Sequence, residues 1–191
     1  MNPESTTSPG GQATGHAAEP QRPRTDDVPV SWDERATLTT MLEYVRDTVH
    51  AKCAGLSDAG ARLAPLATSP LTTIGGLVSH LHRVERYWIE VVLLGMPARG
   101  PWVDSDDPDR EMTMGLEIPL SELLADYRAS CDRHREIAAG LDLDTASKGE
   151  LTWRAEPVTL RWILFHLIEE TARHNGHIDI LREMADGVTG T

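Results

Sequence analysis

The chain has 191 residues, 40% of them hydrophobic and 25% charged, and a formal net charge of −12. That size suits one domain with a tail, the composition is globular rather than fibrous or wholly disordered, and the acidity opposes binding to nucleic acid or to anionic membranes. No apolar run approaches the ~18 residues that span a bilayer, the first twenty residues lack the basic and apolar regions of a secretory signal, and Cys53 and Cys131 make no disulfide framework, so a cytoplasmic protein is expected.

Residues 1–30 are rich in Pro, Gly, Ser, Thr and Gln without periodicity. Such a segment buries too little apolar surface to offset chain entropy, and a disordered N-terminal tail is expected there. Residues 31–187 are then the folded domain. Its first helical pattern runs from about Asp33 to Ala54, with Leu38, Leu42, Val45, Val49 and Cys53 on one stripe. The second runs from about Thr73 to Leu94, closed by Gly95. The third runs from Leu120 to Gly140, with Leu124, Tyr127, Cys131 and Ala138 aligned. The fourth follows Thr159, which has the chemistry of an N-cap, and stops before Gly187. No segment shows sustained alternation of β-branched residues, so the expected fold is all-α, a four-helix bundle. Two long connections join its helices, Met96 to Pro119 with Trp102 and Leu141 to Val158 with Trp153. Such loops serve as crossovers or carry function.

The histidines concentrate the chemistry. On the second helix Leu77, Val84, Trp88 and Val91 share one side, and His80 sits in the middle of that stripe. His82 falls on the opposite side with Ser79, Arg86 and Glu90, and is expected in solvent. On the fourth helix the core stripe is Ile163, Leu167, Ile178 and Leu181. His166, Glu170, His174 and His177 lie on the same face, while Arg161, Glu169, Asp179, Arg182 and Glu183 take other sides. An inward carboxylate among imidazoles needs partners, because an unpaired buried charge costs several kcal/mol. A buried His–Glu hydrogen-bond network and a metal site both answer that need. The i,i+4 spacing of Glu170 and His174 brings two ligand types together, as does that of His166 and Glu170, whereas His166 and His174 are about 12 Å apart along the axis, so all three cannot easily share one ion. One i,i+4 pair plus His80 from the second helix can. The pattern is not His-Glu-x-x-His, so the zincin motif is excluded. Cys53 and Cys131 sit on core stripes and are read as packing residues.

Two stretches carry a resemblance. One is Ile74-Gly75-Gly76-Leu77-Val78-Ser79-His80-Leu81 with Val84-Glu85-Arg86-Tyr87-Trp88. The other runs from Leu160-Arg161-Trp162 through His166-Leu167-Ile168-Glu169-Glu170-Thr171-Ala172-Arg173-His174-Asn175-Gly176-His177-Ile178 to Glu183. Together they resemble the DinB/YfiT-like superfamily, and within it the actinobacterial mycothiol transferases, over about Trp32 to Gly187. Two lysines, Lys52 and Lys148, against sixteen arginines point to GC-rich coding, in keeping with such a source.

The resemblance implies a DinB-like four-helix bundle holding one divalent metal, zinc first and nickel second. Most members of the superfamily use three histidines. Here Glu170 stands at the first position of the family's His-x-x-x-His, as in the similar thiol-dependent maleylpyruvate isomerases. The implied ligands are therefore His80, Glu170 and His174, and a carboxylate shifts preference toward harder ions. His166 and His177 become the candidates for catalytic, substrate-facing roles. Three protein ligands leave a coordination position open, where a thiol would bind as thiolate, the nucleophile of sulfur transfer. The implied activity is a metal-dependent S-transferase that conjugates mycothiol, or a related small thiol, to an electrophilic small molecule, in detoxification or natural-product biosynthesis. A metal-dependent hydrolase, a thiol-dependent isomerase and a non-enzymatic metal-binding stress protein are the alternatives. The expected partners are the thiol and the electrophile, without nucleic acid or membrane, and the assembly allowed for is a homodimer.

Overall fold

The computed structural model describes residues 33–103 and 105–189, so the tail expected at 1–30 lies outside the described residues. In chain order the elements are α1 (Glu34–Cys53), the short α2 (Asp58–Ala61), α3 (Ile74–Arg86), a π-helix that continues α3 over Tyr87–Leu93, α4 (Arg110–Glu117), α5 (Leu120–Ala139) and α6 (Leu160–Asp186). No extended strand forms among the described residues, and the chain is the all-α bundle its periodicity predicts.

Side chains close the helix starts by accepting from backbone amides that have no helical partner. Asp33 accepts from the Ala36 amide, Thr73 from Gly76 and Thr159 from Trp162. Pro119 begins α5, and the first amide of that helix donates to Asp58 Oδ1 at 2.9 Å, so α2 serves as the cap of α5. Gly187 ends α6 with φ of 77°, a left-handed conformation that glycine adopts without a side-chain clash.

The helices form a ring. α6 lies on α1 and α3, and α3 lies on α4 and α5. One apolar cluster joins Leu42, Val45, Trp88, Leu160, Ile163 and Leu167; a second joins Val49, Leu77, Leu81, Tyr127, Ile178 and Leu181. α3 is therefore covered on two sides. This corrects the expectation for His82, which is half-buried rather than solvated. Its Nε2 lies 2.9 Å from Ser130 Oγ of α5, and Trp102 covers its ring at 5.4 Å.

Three features depart from the sequence reading. α4 sits in the connection expected as a loop, and α2 in the unassigned stretch between the first two predicted helices. The second long helix changes to π geometry, with the Leu94 amide donating to the Ile89 carbonyl. The change in pitch turns Ile89, Val92 and Leu93 into the core and leaves Val91 only half-buried. Arg182, placed by its spacing off the core stripe, is nonetheless buried and donates to the carbonyls of Lys52 and Ala54. It closes the C-terminal end of α1, where unpaired carbonyls gather.

Candidate metal centre

Helical spacing places Glu170 and His174 on one face of α6, and the packing of α3 brings His80 to them. The Glu170 Oε1 atom lies 3.3 Å from His80 Nε2 and 3.2 Å from His174 Nε2. One ligand atom from each of the three residues falls within 4.8 Å of the others. Tetrahedral ligands at about 2.1 Å from an ion stand about 3.4 Å from one another. The observed spacing therefore fits a cation between these atoms, and the donor set of two imidazoles and a carboxylate suits a divalent metal. The three side chains are half-buried, which leaves an approach from solvent.

The far sides of both histidines are also engaged. His80 Nδ1 lies 3.2 Å from Glu111 Oε1, and Arg83 Nε stands 2.7 Å from Glu111 Oε2. His174 Nδ1 lies 3.2 Å from His177 Nδ1. Partners of this kind fix the tautomer and the ring orientation of a metal-binding histidine. Burial acts to lower the His80 pKa, but the hydrogen bonds and charges of Glu111 and Glu170 outweigh it and raise the pKa above its ordinary value. At His174 burial and the neighbouring His80 prevail, and the pKa is lowered. Burial acts to raise the Glu170 carboxyl, but the hydrogen bonds and charges of His80 and His174 hold it below the usual range. Glu170 is thus a carboxylate at neutral pH.

The predicted residues divide by position. His80, Glu170 and His174 meet. His177 sits exposed at the rim against His174. His166 is one turn before Glu170, with its ring 4.6 Å from that of Trp88 and stacked on Trp162 at 5.1 Å. Burial holds its pKa below the ordinary value. Trp153 lies against Trp162, 6.1 Å between rings, beside this group. Trp102 does not join it and instead covers His82 and Arg86. Cys53 and Cys131 are buried, and burial pushes the Cys53 thiol up to about 12 and the Cys131 thiol higher still. Both are packing residues, since an unionised thiol is a poor nucleophile.

Glu111 went unnoticed in the sequence. It lies in the acidic connection after Gly95, and only the docking of α4 against α3 gives it a role. A second buried polar cluster was also missed. Arg46 Nε and NH2 grip Glu85 at 2.8 Å each, and His134 bridges Glu85 Oε2 at 3.2 Å and Glu90 Oε1 at 3.3 Å.

Residues 37–187 match a family model described as mycothiol-S-transferase. No curated protein matches the chain.

Proposed function

The chain belongs to the mycothiol-S-transferase family, and from that premise we propose that it joins mycothiol to an electrophilic small molecule at a divalent metal held by His80, Glu170 and His174. The observation that carries the reading is the meeting of two Nε2 atoms and Glu170 Oε1 from α3 and α6, at spacings that suit a metal. Zinc is the first metal in this reading and nickel the second.

A divalent cation held there supplies charge that favours loss of the thiol proton, which makes the sulfur nucleophilic. The chain does the rest. Glu111 keeps the His80 ring turned so that Nε2 faces the centre. His174 Nδ1–H donates to His177 Nδ1 at 3.2 Å, which leaves His174 Nε2 free to bind. His166, kept neutral by burial and one turn from Glu170, accepts the thiol proton, and His177 at the rim passes protons to solvent. Half-burial of the three ligands limits water around the reacting sulfur.

Metal analysis and a conjugation assay test this together. The purified chain should hold about one divalent ion, since the three ligand atoms describe one centre. His80→Ala, Glu170→Ala and His174→Ala should each lose most of it, and His82→Ala should keep it. Mycothiol should be consumed with an electrophile, and glutathione, lacking the sugar framework, more slowly. With cobalt loaded, a sulfur charge-transfer band should appear on adding mycothiol and grow with pH, since coordination competes with the proton. Full metal in His80→Ala would overturn the ligand set. Hydrolysis that needs no thiol, with no band from any thiol, would replace the transferase by a hydrolase.

A further inference from the structure

Beside the candidate ligands, the α3–α6 seam carries a row of aromatic rings, of which thiol activation uses only His166. The two elements run antiparallel there: His80 meets Glu170, and farther along Trp88 meets Trp162 at 5.1 Å and His166 at 4.6 Å. His166 precedes Glu170 by one helical turn, about 6 Å of rise, so the row starts next to the metal ligands. The His166 ring lies nearly parallel to Trp162, at 16°. Trp153 continues the row outward, and the Arg154 guanidinium stands 5.7 Å from its ring.

The row grades from inside to outside. Trp88 is 8% exposed, Trp162 and His166 are half-buried, and Trp153 is 60% exposed. Trp153 is held rather than loose. The amides of Lys148 and Gly149 in its loop donate to the carbonyls of Leu93 and Val92 in the π-helix, and Leu151 pairs with Arg154 across the turn. The ring nitrogens of His166 make no hydrogen bond among the described residues, and their nearest carboxylate, Glu169 Oε2, stands 3.9 Å from Nδ1. A large indole fixed in solvent beside a neutral imidazole without a hydrogen bond forms a surface suited to a flat ligand. Indole faces are electron-rich and favour electron-poor rings.

We propose that Trp153, Trp162 and His166 form the seat of the electrophile and select planar, electron-poor aromatic rings. This rests on the transferase reading for its chemistry but not for its binding. With a chloronitroarene, the thiol sulfur bonds to the ring carbon that carries chlorine. The carbon–chlorine bond breaks, chloride leaves with the bonding pair, and the thiol proton passes to the base.

The test separates binding from turnover. 1,3-Dinitrobenzene has no leaving group, and its affinity for the full chain is measured by calorimetry. Trp153→Ala and Trp162→Leu should each weaken it about 2- to 10-fold, the range of one stacked aromatic pair. Glu170→Gln, which removes a metal ligand, should leave it unchanged. In turnover with mycothiol, Trp153→Ala should lower kcat/KM for 1-chloro-2,4-dinitrobenzene and spare that for iodoacetamide. Because Trp153 is exposed, its variant keeps the test valid should Trp162→Leu fail to fold. Equal affinity in the wild type and Trp153→Ala, or no binding of the flat ring, would overturn the proposal. So would weaker mycothiol binding in Trp153→Ala with dinitrobenzene unaffected, which would make the row a seat for the sugar body of the thiol. Ring binding that depends on Trp153, with no turnover of either electrophile, would sink the transferase reading and leave the seat standing.

Discussion

His80 stands between two carboxylates, and each of its ring nitrogens faces one of them. Without a cation both bonds require a proton on each nitrogen, hence an imidazolium, in keeping with its raised pKa. With a cation, Nε2 gives its lone pair to the metal, and Nδ1–H still donates to Glu111. Glu111 therefore serves both states and orients the ligand in the second. Glu111→Ala should weaken metal affinity about 10- to 100-fold, and Glu111→Gln, which still accepts from Nδ1–H, should weaken it less. Competition with a chelating dye measures both, and unchanged affinity in Glu111→Ala would remove Glu111 from the site. His80, Glu170 and His174 could be read in the sequence because each sits in phase with apolar neighbours on a long helix. Glu111 could not, since its partner lies on another element and α4 is too short to show a period.

At the scale of elements, α4 reaches His80 because three glycines let two backbones touch. A methyl group on Gly75 would stand 2.5 Å from the Gly115 carbonyl oxygen, and one on Gly115 would overlap the backbone of Gly75 and Gly76. Gly115→Ala should therefore push α4 away from α3 and cost about 1–3 kcal/mol, the usual range for overpacking. Metal affinity should fall with it as Glu111 withdraws. Gly176→Ala is the control, since a methyl there meets nothing within 4 Å. It lies within α6 and should gain about 0.5–1 kcal/mol in helix stability. Thermal melts and metal titration of both variants test the pair, and a Gly115→Ala protein with wild-type values would show that the close approach is dispensable. The long helices were legible through caps and a 3.6-residue period. The π segment was not, because a uniform period places Val91, rather than Val92, toward the core.

For the whole molecule, α1 and α5 face each other across the ring with little close backbone contact. A cleft of about 440 Å³ opens there, lined by Arg35, Leu42, Arg46, His134, Ala138 and Leu164. The Arg46–Glu85–His134 cluster ties α1, α3 and α5 together there with buried ion pairs. Nothing in the sequence marked it, because its members stand on three separate helices, yet Glu85 and His134 are each 1% exposed. These contacts are all made within the folded domain that begins at Asp33. A chain starting near Val30 should keep the metal content and melting temperature of the full chain, and a large loss of either would show that residues 1–30 support the fold.

Acid should attack that same side of the ring first. Burial acts to raise the Glu85 carboxyl, but the Arg46 charge and the hydrogen bonds from His134 and Arg46 outweigh it and hold the pKa at about 2. Glu90 is held at about 2 against a smaller burial effect by Arg86, Arg133 and His134. A carboxyl depressed in the folded state adds stability that is present above its ordinary pKa of 4.5 and lost as pH falls toward 2. The melting temperature should accordingly decline across that window. Glu85→Gln should remove the Glu85 share of this acid limb. It should also lower stability at pH 7 by about 3–5 kcal/mol, because buried Arg46 loses its bidentate partner and keeps only the half-buried Glu43. Adding Arg46→Met should recover much of the loss, since a buried cation stripped of its bidentate partner is the main cost. Melts of the wild type and both variants from pH 7 to pH 2 decide the matter. If Glu85→Gln matched the wild type at pH 7, or kept the full acid limb, the ion cluster would not be what holds α1 to α5.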